Sequence, residues 1–393
     1  MAHQGYDRRG VSTPLPRSEF AVTERYVYLN HASAGVLPRS SVSAIEAFAR
    51  THADAGVLGT FPHDLKMSEY REKIGRFVGA SGVEIAMLSN TSTAANAIAT
   101  GLDWRAGDQI LLCDNEFPAN AIPWIGLQRR GVEVRLLPTA RERLTPEVLR
   151  REISRHTRLV AVSWVSYADG YRHDLAGLAE AAHAAGAFFC VDGMQGLGAF
   201  PIDVQQLEID ALYAGGAKWL LGLHGVAMLY IGSRLRERLE LAMPGWRSMR
   251  DMWDFHNYDQ PFATDAMRLE GGTPNLIGAL SLVCAMDLME RSGRDATALH
   301  ILNLTDRLCE GLQRRGATLS THRGEHISSG IVTFSVPGCN SVALGEALAQ
   351  EGIVTTFRSS GVRVSPHGYN TATEIDATLD TLEQLTRTKA LVS

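Results

Sequence analysis

From residue 84 to about residue 231 the chain alternates short apolar runs with amphipathic stretches, and that rhythm restricts its fold more than any other feature. Gln109–Cys113 and residues 159–165 are continuous apolar runs rich in β-formers, the mark of strands buried on both faces. Asp174 then reads as a helix N-cap. Leu175, Leu178, Ala182 and Ala185 repeat at helical spacing, and Gly186 stops the helix. Residues 187–191 predict the next strand, followed by 211–213 and 226–231. Strand, helix, strand at this spacing means parallel βαβ units and a doubly wound sheet.

Past Gly272 the texture changes. Helical stretches cover 276–291 and 296–315, then come a strand at 330–336, a helix at Ser341–Gln350, a loop carrying Arg358 and Arg363, and a last helix at 373–388. The expected division is an N-terminal arm (1–25) packed on the small domain, a large α/β domain (26–275) and a smaller α+β domain (276–393). A length of 393 residues suits two domains.

Charge and cysteine usage exclude several function classes. A formal net charge of −5 offers no basic field for nucleic acid or an anionic membrane. The longest apolar stretches, such as 226–231, are too short to span a bilayer. Residues 1–18 are polar and lack the apolar segment of a signal peptide. Five cysteines without a CxxC pair argue against a metal site or a disulfide framework and fit a reducing cytoplasm.

In open α/β sheets ligands bind beyond the carboxyl ends of the strands, so the residues that follow each strand matter most. After 84–88 comes Ser89-Asn90-Thr91-Ser92-Thr93, small polar residues opening a helix whose free N–H groups and dipole suit either simple capping or a phosphate. After 187–191 come Asp192 and then Gln195. Farther on, Ala214-Gly215-Gly216-Ala217-Lys218-Trp219-Leu220-Leu221-Gly222 sets one lysine in an apolar, glycine-rich turn. Lysines are rarely buried without a partner or a task, and desolvation makes such an amine nucleophilic. Neither the P-loop signature nor GxGxxG is present. A phosphate site, a buried lysine and an acidic group after successive strands suggest pyridoxal 5'-phosphate. That cofactor needs a lysine for its aldehyde, a carboxylate for its ring nitrogen and an anion site.

From Tyr28-Leu29-Asn30-His31-Ala32-Ser33-Ala34-Gly35 to Tyr369-Asn370-Thr371 the chain resembles the class V aminotransferase-fold enzymes of pyridoxal-phosphate fold type I. That group includes cysteine desulfurases, selenocysteine lyase and isopenicillin N epimerase. The motifs that carry the resemblance are Val191-Asp192-Gly193-Met194-Gln195, Lys218-Trp219-Leu220-Leu221-Gly222, Gly271-Gly272-Thr273-Pro274-Asn275 and Arg363-Val364-Ser365-Pro366. The resemblance implies that Lys218 holds the cofactor as a Schiff base and shuttles protons at the substrate Cα. It implies that Asp192 keeps the pyridine nitrogen protonated and that Gln195 bonds the phenolic oxygen. Thr91 and Ser92 would hold the phosphate, Phe117 would stack on the ring, and Arg363 would pin the substrate α-carboxylate. Thr273 would reach the phosphate of a neighbouring subunit, which implies a homodimer with shared sites.

Departures narrow the activity. Residues 354–362, where desulfurases carry a nucleophilic cysteine, hold none, and Cys339 reads as structural. Tyr167 replaces an asparagine common in desulfurases and, with His31 and Arg358, is a further candidate for contact with substrate. The expected substrate is amino-acid-like and the favoured reaction is β-elimination of a cysteine conjugate by a C–S lyase. Transamination and epimerisation at Cα stay open, because both share with elimination the lifting of the Cα proton; decarboxylation and a catalytically silent binding protein stay open as well.

Overall fold

The computed structural model describes residues 13–139, 142–358 and 361–387. Residues 1–12 of the N-terminal arm expected at 1–25 thus lie outside the described residues. The rest, with the segment that follows, is joined to the C-terminal third of the chain. Strand β1 (Val27–Tyr28) runs parallel to β11 (Ile353–Val354), and Asn30 bridges Ser365. Arg17 binds the Tyr369 carbonyl and Glu374.

The central sheet has seven strands: β2 (Ile85–Leu88), β3 (Gln109–Cys113), β4 (Glu133–Leu137), β5 (Thr157–Ser163), β6 (Phe188–Asp192), β7 (Ala211–Gly215) and β8 (Ala227–Ile231). Their order is β2-β8-β7-β6-β5-β3-β4, with β8 antiparallel to both neighbours and the other pairs parallel. Every residue of β2, β3, β7 and β8 is buried. That is why these segments read as unbroken apolar runs rather than as alternating ones. The helix Leu175–Ala184 starts where the sequence places it, Asp174 accepting the Gly177 amide, and ends before Gly186 in the left-handed region. The result is a mostly parallel, doubly wound sheet.

The smaller sheet has the order β12-β13-β10-β9, formed by β9 (Thr318–Leu319), β10 (Val332–Ser335), β12 (Thr356–Arg358) and β13 (Gly361–Val364). The segment carrying Arg358 and Arg363, expected as a loop, is therefore an antiparallel hairpin. It lacked a signal because β12 and β13 have only three and four residues and tertiary pairing defines them. The long helix Leu276–Ser292 packs on the helices Arg39–Ala55 and Met67–Phe77, and the helix Arg294–Arg314 packs on Ala372–Arg387, β9 and β10.

Candidate active site

The sheet register sets the site. Ser163 of β5 lies opposite Asp192 of β6, and Asp192 lies opposite Tyr213 of β7. Leu88 of β2 and Gly215 of β7 both face Ala227 of the strand between them, so these two strands end level with each other. Neighbouring strands lie about 4.8 Å apart, so the helix start after β2 and the lysine turn after β7 share one edge, about 10 Å apart. Asn90 caps that helix (Thr91–Gly101) by accepting the Thr93 amide, with Thr91 buried and Ser92 half-buried in the first turn.

Asp192 is buried. One carboxylate oxygen accepts the Met194 amide at 2.8 Å, and the other has no hydrogen bond among the described residues. Burial pushes its pKa up to about 6 against the opposing pull of that amide and of Lys218. Lys218 is half-buried in a turn closed by Leu221 N–H to the Lys218 carbonyl (3.0 Å). Leu221 has a φ of 55°, a left-handed conformation costly for a leucine, so this turn is held under strain by its surroundings. Gly35 presses on the turn from outside. Its amide donates to Ala217, and a Cβ there would stand 2.0 Å from the Lys218 carbonyl oxygen. Burial draws the Lys218 amine down to about 8; Asp192 opposes this, while Arg363 and Arg358 reinforce it. Its Nζ lies 5.4 Å from the centre of the Phe117 ring, whose neighbour is the Tyr167 ring at 5.2 Å.

Arg363 on β13 is fully buried and has no carboxylate partner among the described residues. Its Nη1 donates to the Tyr167 carbonyl and its Nη2 to Ser33 Oγ, both at 2.8 Å, while Nε has no partner. Burial drives its pKa down to about 9, with Arg358 the next cause. A buried cation without a counter-charge is costly and marks a place where an anion fits.

Lys218, Asp192, Phe117, Tyr167, Arg363 and Arg358 are thus brought together. Gln195 lies beneath them, donating to the Ala32 carbonyl (3.0 Å) and accepting from Trp219 Nε1 (2.9 Å), which leaves one amide N–H. His31 is placed differently from the sequence expectation. Its ring is fully buried, with Nδ1 bonded to the Ser365 carbonyl and Nε2 to the Tyr369 hydroxyl, so it braces the strand junction. Thr273 is exposed, on the segment before the helix Leu276–Ser292.

Two residues escaped the sequence reading. Ser33 holds the arginine fork, and nothing in a small turn residue announces such a partner. Glu116 is buried and accepts the Ser163 amide (2.8 Å), the Ser163 hydroxyl (2.5 Å) and Asn120 Nδ2 (2.9 Å). Asn120 in turn accepts the Tyr213 hydroxyl, which ties the Phe117 loop to β5 and β7. Burial lifts Glu116 to about 7. The available signal was the Glu116/Asn120 spacing just after a strand.

The family model for class-V aminotransferases matches residues 27–378. The chain belongs to this family. It is 28% identical over 398 aligned residues to a probable cysteine desulfurase of Methanothermobacter thermautotrophicus, covering 94% of this chain and 97% of that relative. It is 32% identical over 303 residues to a cysteine desulfurase of Dickeya dadantii, covering 73% and 70%. The apo structure of a cysteine desulfurase from Thermococcus onnurineus superposes with a TM-score of 0.87 at 25% identity, covering 96% of this chain and all of that one.

Class-V aminotransferases are pyridoxal-phosphate enzymes, and the groups present fit that cofactor. The half-buried amine, the unshared oxygen of buried Asp192 and the helix start at Thr91 each answer one of its polar ends.

If Lys218 is the cofactor amine, its neutral form is the reactive one. Below pH 8 the neutral fraction falls about tenfold per pH unit. Stopped-flow reconstitution of cofactor-free protein should therefore speed up with slope near one in log rate and level off near pH 8. A flat profile between pH 6 and 8 would contradict this role.

Proposed function

We propose that this class-V enzyme carries out β-elimination on a cysteine conjugate, releasing the thiol and leaving pyruvate and ammonia after hydrolysis. The observation that carries the choice is that residues 354–362, leading to Arg363, contain no cysteine. Elimination needs no thiol nucleophile of the protein's own. The names of the relatives place chemistry on the sulfur of cysteine within this family.

In this reading the buried guanidinium of Arg363 takes the α-carboxylate, exchanging one of its present partners, Ser33 or Tyr167, for a charged one. Lys218 Nζ takes the Cα proton and returns a proton to the departing sulfur. Asp192 keeps its negative charge beside the cofactor ring nitrogen, and the Thr91 and Ser92 helix start with Gln195 holds the rest of the ring system. Pyridoxal phosphate, when bound, supplies a conjugated system that accepts the electron pair released at Cα. Phe117 covers one side and keeps water from the reacting carbon.

Incubating the holoenzyme with a panel of S-substituted cysteines tests the proposal. Pyruvate, ammonia and free thiol should appear in equal amounts. A keto acid retaining its sulfur, formed together with an aminated cofactor, would replace elimination by transamination.

The reading extends to assembly. Thr273 is exposed, and near it Trp246, Trp253, Phe255 and Tyr258 of the 244–263 segment join Phe61 in an exposed aromatic surface. These features support a twofold homodimer in which Thr273 reaches the partner's phosphate site. The five cysteines are unpaired, which suits the cytoplasm, and no helix among the described residues is long and apolar enough to cross a membrane. Because a shared site links cofactor binding to association, sedimentation should show a dimer whose dissociation pyridoxal phosphate suppresses. A monomer retaining full cofactor at micromolar concentration would end the shared-site idea.

A further inference from the structure

The hairpin that carries Arg363 carries a second arginine on the same face. Across β12 and β13, Thr356 lies opposite Arg363 and Arg358 lies opposite Gly361. Directly opposed residues of an antiparallel pair point to one side, as do residues two apart on a strand. Arg358 and Arg363 are therefore diagonal neighbours, about 7–8 Å apart. Gly361, opposite Arg358, has no side chain to compete for its guanidinium. The bonds Arg358 makes are to neutral groups, the Phe357 carbonyl at 2.8 Å and Thr356 Oγ1 at 3.4 Å, and it has no ion pair among the described residues.

The local charge is unbalanced in consequence. Lys218, Arg358 and Arg363 lie within electrostatic reach of one another, and Asp192 is the carboxylate that acts on Lys218. The cofactor would consume the charge on Lys218, its phosphate has the Thr91 helix start, and an α-carboxylate would satisfy Arg363. Arg358 would still face the site without a counter-charge. Placing like charges this close is unfavourable unless a dianionic ligand is to be held between them.

We infer that the substrate bears a second acidic group on the substituent attached to its β-carbon, and that Arg358 receives it. This rests on the C–S lyase reading for the reaction but not for the binding. The natural class is a cysteine conjugate whose sulfur substituent ends in a carboxylate.

The test is equilibrium titration of the holoenzyme, followed by its cofactor absorption, with S-carboxymethylcysteine and with S-carbamoylmethylcysteine. The second replaces the terminal carboxylate by an amide of nearly the same shape. Wild-type protein should bind the carboxylate at least about tenfold tighter, the lower end for a hydrogen bond to a charged group. In Arg358→Gln that ratio should fall to below about twofold. Equal affinities in the wild type, or a preference that survives in Arg358→Gln, would overturn the inference. Equal affinities in the wild type would overturn the inference even if the variant proves unstable. Binding is read whether or not the C–S bond breaks. A strong preference without pyruvate or thiol would thus remove the lyase reading and leave the diacid site standing.

Discussion

Lys218→Ala should leave a folded protein that gives no covalent cofactor adduct on borohydride reduction and whose turnover is reduced by roughly 10⁴-fold, the upper range for a positioned proton-transfer group. The expectation is sharp because the chain has four lysines. Lys66 is exposed, Lys73 is paired with Asp287 at 2.7 Å, and Lys389 lies outside the described residues. Lys66 stands at a helix end and Lys73 within a helix, whereas burial draws the Lys218 amine down to about 8. Mass spectrometry of the reduced protein should find the adduct on the 218 side chain in the wild type. An adduct persisting in the variant would transfer the role to another amine.

Asp192→Asn should retain the cofactor yet slow breakage of the Cα–H bond by about 10²–10³-fold, the scale of removing one charge-stabilising group from a preorganised site. An amide fits the same space and can still accept from Met194, so the fold has little reason to change. It cannot supply the negative charge that holds a proton on the ring nitrogen. The decisive measurement is the deuterium isotope effect with Cα-labelled substrate, which should rise as proton removal becomes rate-limiting. Turnover within about threefold of wild type would show that the ring nitrogen takes its charge balance from elsewhere, and Glu116 would be the first residue to examine.

The sheet was legible in the sequence because its strands are buried on both faces and separated by helices with clear caps. Gln109–Cys113, the Asp174 cap and the helix Ser341–Gln350 needed no tertiary information. Lys218 and Asp192 were legible for the same reason, as polar residues that break apolar runs at strand ends. What escaped depends on distant pairing. Ser33 meets Arg363 across 330 positions, and β12 and β13 exist through their mutual register. His31 illustrates the converse, a polar residue in a family motif whose nitrogens are both consumed by the partners Ser365 and Tyr369. No local pattern separates a histidine that awaits a ligand from one already satisfied.

The parallel pairing of Val27–Tyr28 with Ile353–Val354 has a consequence for biosynthesis. A ribosome adds roughly 5–20 residues per second, so the first strand waits on the order of 16–65 s for its neighbour to emerge. Through that interval residues 27–35 cannot be seated, and the Gly35 amide that braces the lysine turn has no fixed position. The central sheet can form earlier from strands close together in sequence, but its catalytic edge cannot be finished cotranslationally. Chains arrested before residue 365 would therefore lack the brace on the lysine turn. Such fragments are natural clients for chaperones, and cofactor capture would report completion of the polypeptide.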